Sequence, residues 1–287
     1  MVTAAPSGLR RALGASLLGA AAIVLAIGWL APHLPLRSGD IEIEAWGAIL
    51  SILFIGCPLL AAAALGQALG RRPYLLPAAG SLIFSLGFMF AMGGAGYDDR
   101  SGKAVPIQIV FTLSTAAGAL LAIGSTAALA RPLGRAQLTV RAAWLMAVPL
   151  LATGAILAVI WSTAISSILA TGTSSHTYYR AGSFPFFWAM VLHDAVVTTA
   201  VYLLAAGLLI ARHPLAPLAG FFAASYLFAH FAPVIPIELY RLQARGDVEI
   251  PLLAVSCALV AAALGSAVHI ARSALRAPDS AAGRASL

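Results

Sequence analysis

Long apolar runs recur along this chain, separated by short polar stretches, most of which carry arginine. They lie at about 12–31, 46–68, 75–96, 107–130, 142–170, 186–211, 215–238 and 250–271. A hydrocarbon layer about 30 Å thick is crossed by roughly 20 helical residues at 1.5 Å each, so every run is long enough to span. Few charges interrupt them: 9% of residues are charged, against about 25% in a soluble domain. The pattern predicts an all-α polytopic membrane bundle of about eight transmembrane helices. It forms a single domain over 1–276, followed by a disordered cytoplasmic tail over 277–287 that is rich in Ala and Ser.

Basic residues near span ends favour the cytoplasm, which lets an alternating topology be tested. One side collects Arg10, Arg11, Arg71, Arg72, Arg131, Arg135, Arg141, Arg212, Arg272, Arg276 and Arg284. The other collects Arg37, Arg100, Lys103, Arg180, Arg241 and Arg245, balanced there by Asp40, Glu42, Glu44, Asp98, Asp99, Asp247 and Glu249. Both termini are therefore expected in the cytoplasm, in a multi-pass protein of a bacterial-type inner membrane. Arg10 and Arg11 before the first run also fit a signal peptide, but 20 apolar residues exceed its usual core and favour a retained helix.

The net charge of +7 does not imply nucleic acid, because the basic residues lie between spans instead of on one soluble face. No P-loop, HExxH zinc helix, CxxCH haem attachment or GxSxG elbow occurs. Lys103, the single lysine, falls in a connection, so a retinal Schiff base within a span is excluded. Asp98 and Asp99 read as solvated loop charges, and Cys57 and Cys257 as packing residues. Two stripes of small residues, Ser114/Gly118/Ala122 and Cys257/Ala261/Gly265, predict close helix contacts.

An ionisable side chain within a span is costly and marks a functional site. The sixth run holds His193 and Asp194, the seventh His230 with Glu238 at its outer end, and the eighth His269, which reads as an interfacial residue. His193 and His230 each lie eight residues from the outer boundary, near Pro185 and Glu238, which puts both roughly 12 Å deep on neighbouring antiparallel helices. Pro233 and Pro236 remove the usual helical partners of the Ala229 and Ala232 carbonyls beside His230. Ser162, Thr163, Ser166 and Ser167 of the fifth run, and His176, Tyr178, Tyr179 and Arg180 after it, complete an expected polar, outward-facing cavity. Tyr226 lines it, on one helical face with Phe222 and His230, and Ser166 and Glu238 line it as well. Met89, Met92 and Met190 read as packing.

Two imidazoles at one level beside a carboxylate point to a bound metal ion or haem. His193 and His230 are then ligands, with Asp194 a third ligand or the group that orients one. Haem would supply redox chemistry; copper or zinc would imply metal handling or assembly. Three other readings compete. In one, the histidines are neutral and merely hold helices together through hydrogen bonds. In another, the chain is a secondary transporter of a small solute, proton-coupled through Asp194. In the last, it is an intramembrane enzyme acting on a lipid or terpenoid, with Asp194 as acid. Expected partners are the lipid bilayer, a small-molecule or lipid substrate, and other membrane subunits.

Overall fold

A computed structural model describes residues 46–47, 49–69, 72–93, 104–176, 179 and 184–276. The first apolar run, the tail, and the positions of Asp98, Asp99, Lys103, Tyr178 and Arg180 lie outside the described residues. The described chain is helical, with no strand among the described residues. Its elements are α1 (Cys57–Ala68, entered through a π-helical turn at Ile52–Gly56), α2 (Leu76–Gly93), α3 (Ala104–Ala128), α4 (Ala130–Leu133) and α5 (Val140–Thr171). They continue as α6 (Phe184–Val191), a second π-helical turn (Leu192–Thr198), α7 (Thr199–Ile210), α8 (Ala216–Phe231), α9 (Val234–Arg245) and α10 (Ile250–Arg276).

Among the described residues, six stretches are long and apolar enough to cross a membrane: Ile49–Gly66, Gln108–Ala128, Val140–Thr171, Phe187–Ile210, Ala216–Arg245 and Ile250–Arg276. Leu76–Met89 is a shorter apolar helix. These coincide with the apolar runs from the second to the eighth. Their outer surfaces are suited to lipid: Leu169 is 83% exposed and Phe54 72%, far too much bare hydrocarbon for water to tolerate along a whole bundle. The protein is thus a multi-pass, all-α membrane bundle. Val140–Thr171 stays helical through Pro149, and Thr139 caps it by accepting the Ala142 N–H at 3.2 Å.

α2 sits centrally, packed against α3, α6 and α8, while α7 packs on α5 and α10 on α8. The α2–α3 contact is a backbone-to-backbone approach that only glycine allows. A Cβ at Gly118 would collide with the Phe84 backbone nitrogen, and one at Gly80 with that of Ala122. Ser114 and Ala122 are buried in the same seam, as the first small-residue stripe predicts. The second stripe behaves differently: Cys257, Ala261 and Gly265 are exposed, and α10 buries Ser256, Ala263, Ile270 and Ala274 instead. Both faces of α10 are apolar, so small-residue spacing alone could not choose between them.

The proline pair divides the seventh run without ending it. α8 closes at Phe231 and α9 resumes at Val234, carrying the helix to Arg245, beyond the expected boundary near Glu238. The Ala232 carbonyl, which loses its usual donor to Pro236, is recovered by the Ile235 N–H at 3.3 Å. The Pro233 carbonyl accepts from Ile237 N–H at 3.2 Å and from the buried Ser51 hydroxyl at 3.4 Å.

Candidate metal centre

His193 and Asp194 are sequence neighbours, which an α-helix would direct about 100° apart. They lie in the π-helical turn Leu192–Thr198, where the larger number of residues per turn narrows that angle, and both face inward, 1% and 4% exposed. π turns inside α-helices occur frequently at functional sites. Here the Asp194 carbonyl is held by the Thr199 N–H and, at 2.8 Å, by the Thr199 hydroxyl.

The side chains form a continuous hydrogen-bonded chain. His193 Nδ1 lies 2.8 Å from Asp194 Oδ1, and the Trp161 indole N–H of α5 donates to Asp194 Oδ2 at 3.2 Å. His193 Nε2 lies 3.1 Å from the Tyr226 hydroxyl of α8, which in turn lies 3.2 Å from Thr198 Oγ1. His230, one turn beyond Tyr226, stacks nearly parallel to His193 at 5.4 Å between centroids and 8° between planes. His230 Nε2 stands 3.9 Å from Asp194 Oδ1, and its buried Nδ1 has no hydrogen-bond partner. One donor atom from each of His193, Asp194 and His230 falls within 4.8 Å of the others. The matching depth expected for the two histidines is thus realised as ring contact.

Aromatic rings crowd the centre, while the His230 side chain keeps 12% of its exposure. Phe84 and Phe88 of α2 lie 6.3 and 5.8 Å from the His193 ring, and Tyr226 lies 6.1 Å away. On the other side His176 stacks on Trp161 at 4.8 Å, and Phe187 meets both rings edge-on. His176 lies outside the spans, and burial lowers its pKa below the usual imidazole value, opposed in part by the Asp194 charge.

Ser166 and Glu238 are not brought to the centre. Ser162, Thr163 and Ser166 are exposed on α5, because the face that turns inward is that of Trp161 and Ala164. Ser162 satisfies its hydroxyl on the Val159 carbonyl at 3.1 Å and needs no cavity. Glu238 is fully buried in α9, accepting the Glu249 N–H at 2.9 Å with Arg241 Nη1 3.4 Å away, so it ties α9 to the start of α10. Met89 and Met190 pack against the apolar core around α2, His269 is exposed on α10, and both cysteines are free.

Residue reasoning missed Trp161, Phe84 and Phe88. The two phenylalanines are spaced i, i+4 and therefore share a helix face, but nothing in the sequence places that face against His193. Trp161 carried a usable signal: a buried indole N–H requires an acceptor, and Asp194 is the one carboxylate within a span at comparable depth. No family model, curated protein or solved structure matches this chain.

Proposed function

We propose that this membrane protein binds a divalent transition-metal ion, zinc or copper, through His193, Asp194 and His230, and works in metal handling or in the assembly of a metal-dependent partner. The observation that carries this reading is the His230 Nε2 to Asp194 Oδ1 separation of 3.9 Å. That is too long for a hydrogen bond and within what two metal–ligand bonds of about 2.0–2.2 Å can span at one ion, about 0.5 Å wider than the roughly 3.4 Å between tetrahedral donors. His230 is also the imidazole with unused capacity, since both nitrogens of His193 already have partners.

The chain's own residues suit such loading. For Nδ1 of His193 to become a ligand, its proton must leave and Nε2 must carry one instead. The Tyr226 hydroxyl serves either tautomer, accepting from Nε2–H or donating to bare Nε2. This tautomer change conserves the proton; metal affinity falls as pH falls because a protonated imidazole has no free lone pair to offer an ion. Rings at 5.4 to 6.3 Å around His193 favour a bare ion over a porphyrin macrocycle.

A second reading is favoured by the Thr198–Tyr226–His193–Asp194 chain, which has the composition of an intramembrane proton relay for coupled transport. Metal analysis of folded protein after metal-replete expression separates the two. The metal reading expects about one equivalent per chain, lost in both His193→Ala and His230→Ala and weakened about 10- to 100-fold in Asp194→Asn, which keeps one oxygen donor. Folded wild type without metal, together with Asp194→Asn as the variant that abolishes solute-driven proton flux in vesicles, would replace it with the relay.

A further inference from the structure

The opposite end of the bundle holds a second concentration of polar chemistry. A cavity of about 560 Å3 opens between the connection at 134–139 and the turn at 212–217, with Gln137, Thr139, Arg212 and His213 among its lining residues. Trp161 lies on α5 roughly 33 Å from Thr139 at 1.5 Å per residue, so this cavity is separate from the metal centre.

Three observations give it a chemical character. First, the cavity's surroundings are basic: Arg212 lines it, Arg135 falls in the other framing segment with Arg131 and Arg141 just to either side of that segment, and neither segment contains an acidic residue. Ser273 bonds to both the N–H and the carbonyl of Gln137, at 3.1 and 2.9 Å, which brings the turn carrying Arg272 and Arg276 to the same end.

Second, Arg212 occupies a left-handed backbone position, φ 52°. The helix before it closes through His213 N–H to Leu208 O at 3.0 Å and Arg212 N–H to Leu209 O at 3.1 Å. This closure ordinarily takes glycine at the left-handed residue. Glycine would serve the backbone better, so the arginine side chain stands here at a conformational cost. Third, His213 Nδ1 accepts the Leu215 N–H at 3.2 Å, which leaves Nε2 as the ring's donor. Orientation in the membrane accounts for the side on which arginines collect. It accounts for neither the cavity nor the left-handed arginine.

We propose that this cavity binds a phosphate ester group, presented by an anionic lipid headgroup or by a soluble phosphate, with the Arg212 guanidinium and the His213 Nε2–H as donors. Arginine is suited to such a ligand because its planar fork matches two phosphate oxygens at once. Basic recesses between helix ends are also where membrane proteins hold acidic lipids.

The test exploits the backbone. Arg212→Gly removes the guanidinium while relieving the left-handed strain, so a folding defect cannot imitate loss of binding; Arg212→Asn, also tolerant of that conformation, is the second variant. Full-length protein is equilibrated with mixed phosphatidylglycerol and phosphatidylcholine vesicles and read by native mass spectrometry. In parallel, inorganic phosphate is titrated in detergent against unfolding temperature. Wild type should retain phosphatidylglycerol over phosphatidylcholine, or be stabilised by inorganic phosphate, and the responding arm identifies the source. In both variants that response should weaken about tenfold or more, as expected when a charge-assisted contact is lost, with the intrinsic unfolding temperature equal or higher in Arg212→Gly. Equal binding in wild type and both variants, or no response of wild type in either arm, overturns the proposal.

Discussion

A neutral imidazole has one donor and one acceptor nitrogen, and inside a bilayer each must be met by the protein. His193 meets this requirement through Asp194 and Tyr226, whereas His230 leaves Nδ1 unpaired and holds Nε2 short of the carboxylate. Of the two rings, His230 is therefore the one with unmet hydrogen-bonding capacity. His176 yields a pH prediction of its own. Burial lowers its pKa in the fold, so the unfolded chain takes up the proton more readily. Its contribution to stability is complete above the ordinary value of 6.5 and is lost as pH falls through 6.5 toward the lower folded value. The unfolding temperature in detergent should drop between about pH 7.5 and 5.5, and His176→Gln should flatten that drop. An identical slope in the variant would remove His176 from the account. At this scale the sequence exposed the expensive residues well, since charges in spans are few and each needs a reason. Hydroxyls were poor guides: Ser166 and its neighbours can satisfy themselves on their own helix, so polarity alone did not mark a cavity. Glu238 was misplaced because the helix runs on to Arg245, and the boundary of an interrupted span is not written in its hydropathy.

Helices in a bilayer gain nothing by hiding apolar surface from lipid, so contact seams are set by fit and not by amphipathicity. This is why run lengths were legible in the sequence while inward faces were not, and why two similar small-residue stripes came to lie on opposite kinds of surface. The α2–α3 seam gives the idea a direct test. Gly118→Ala adds one methyl group against the backbone of Phe84 and should destabilise the bundle by about 1–3 kcal/mol through overpacking. Gly124→Ala, on the same helix with nothing within 4 Å of the added carbon, should stay within about 0.5 kcal/mol of wild type. Reversible unfolding in mixed micelles measures both, and equal effects would mean that the seam is looser than its geometry. Because α2 also carries Phe84 and Phe88 against His193, a loosened seam should lower metal occupancy as well as stability.

Across the whole molecule the polar chemistry is divided between two ends, with the histidine–carboxylate centre toward one and the arginine-framed cavity at the other. Which end faces the cytoplasm decides what each can meet. The eleven basic residues on one side against six on the other, the latter offset by seven acids, predict that the cavity end faces the cytoplasm. On that prediction the histidine–carboxylate centre would sit nearer the outer surface, His193 lying nine residues into the helix that begins at Phe184 and seventeen before its end at Ile210. Reporter fusions in the connections around Arg71 and Arg135, and at the C-terminus, should be active on the cytoplasmic side; those around Asp98 and Arg180 should be active outside. An inverted pattern would leave the helical packing untouched but would turn the histidine centre toward the cytoplasm. Metal from the outer compartment would then have to cross most of the bundle to reach it. A C-terminus found outside would thus overturn both the orientation and the direction of access, while leaving the site chemistry to be judged by metal content alone.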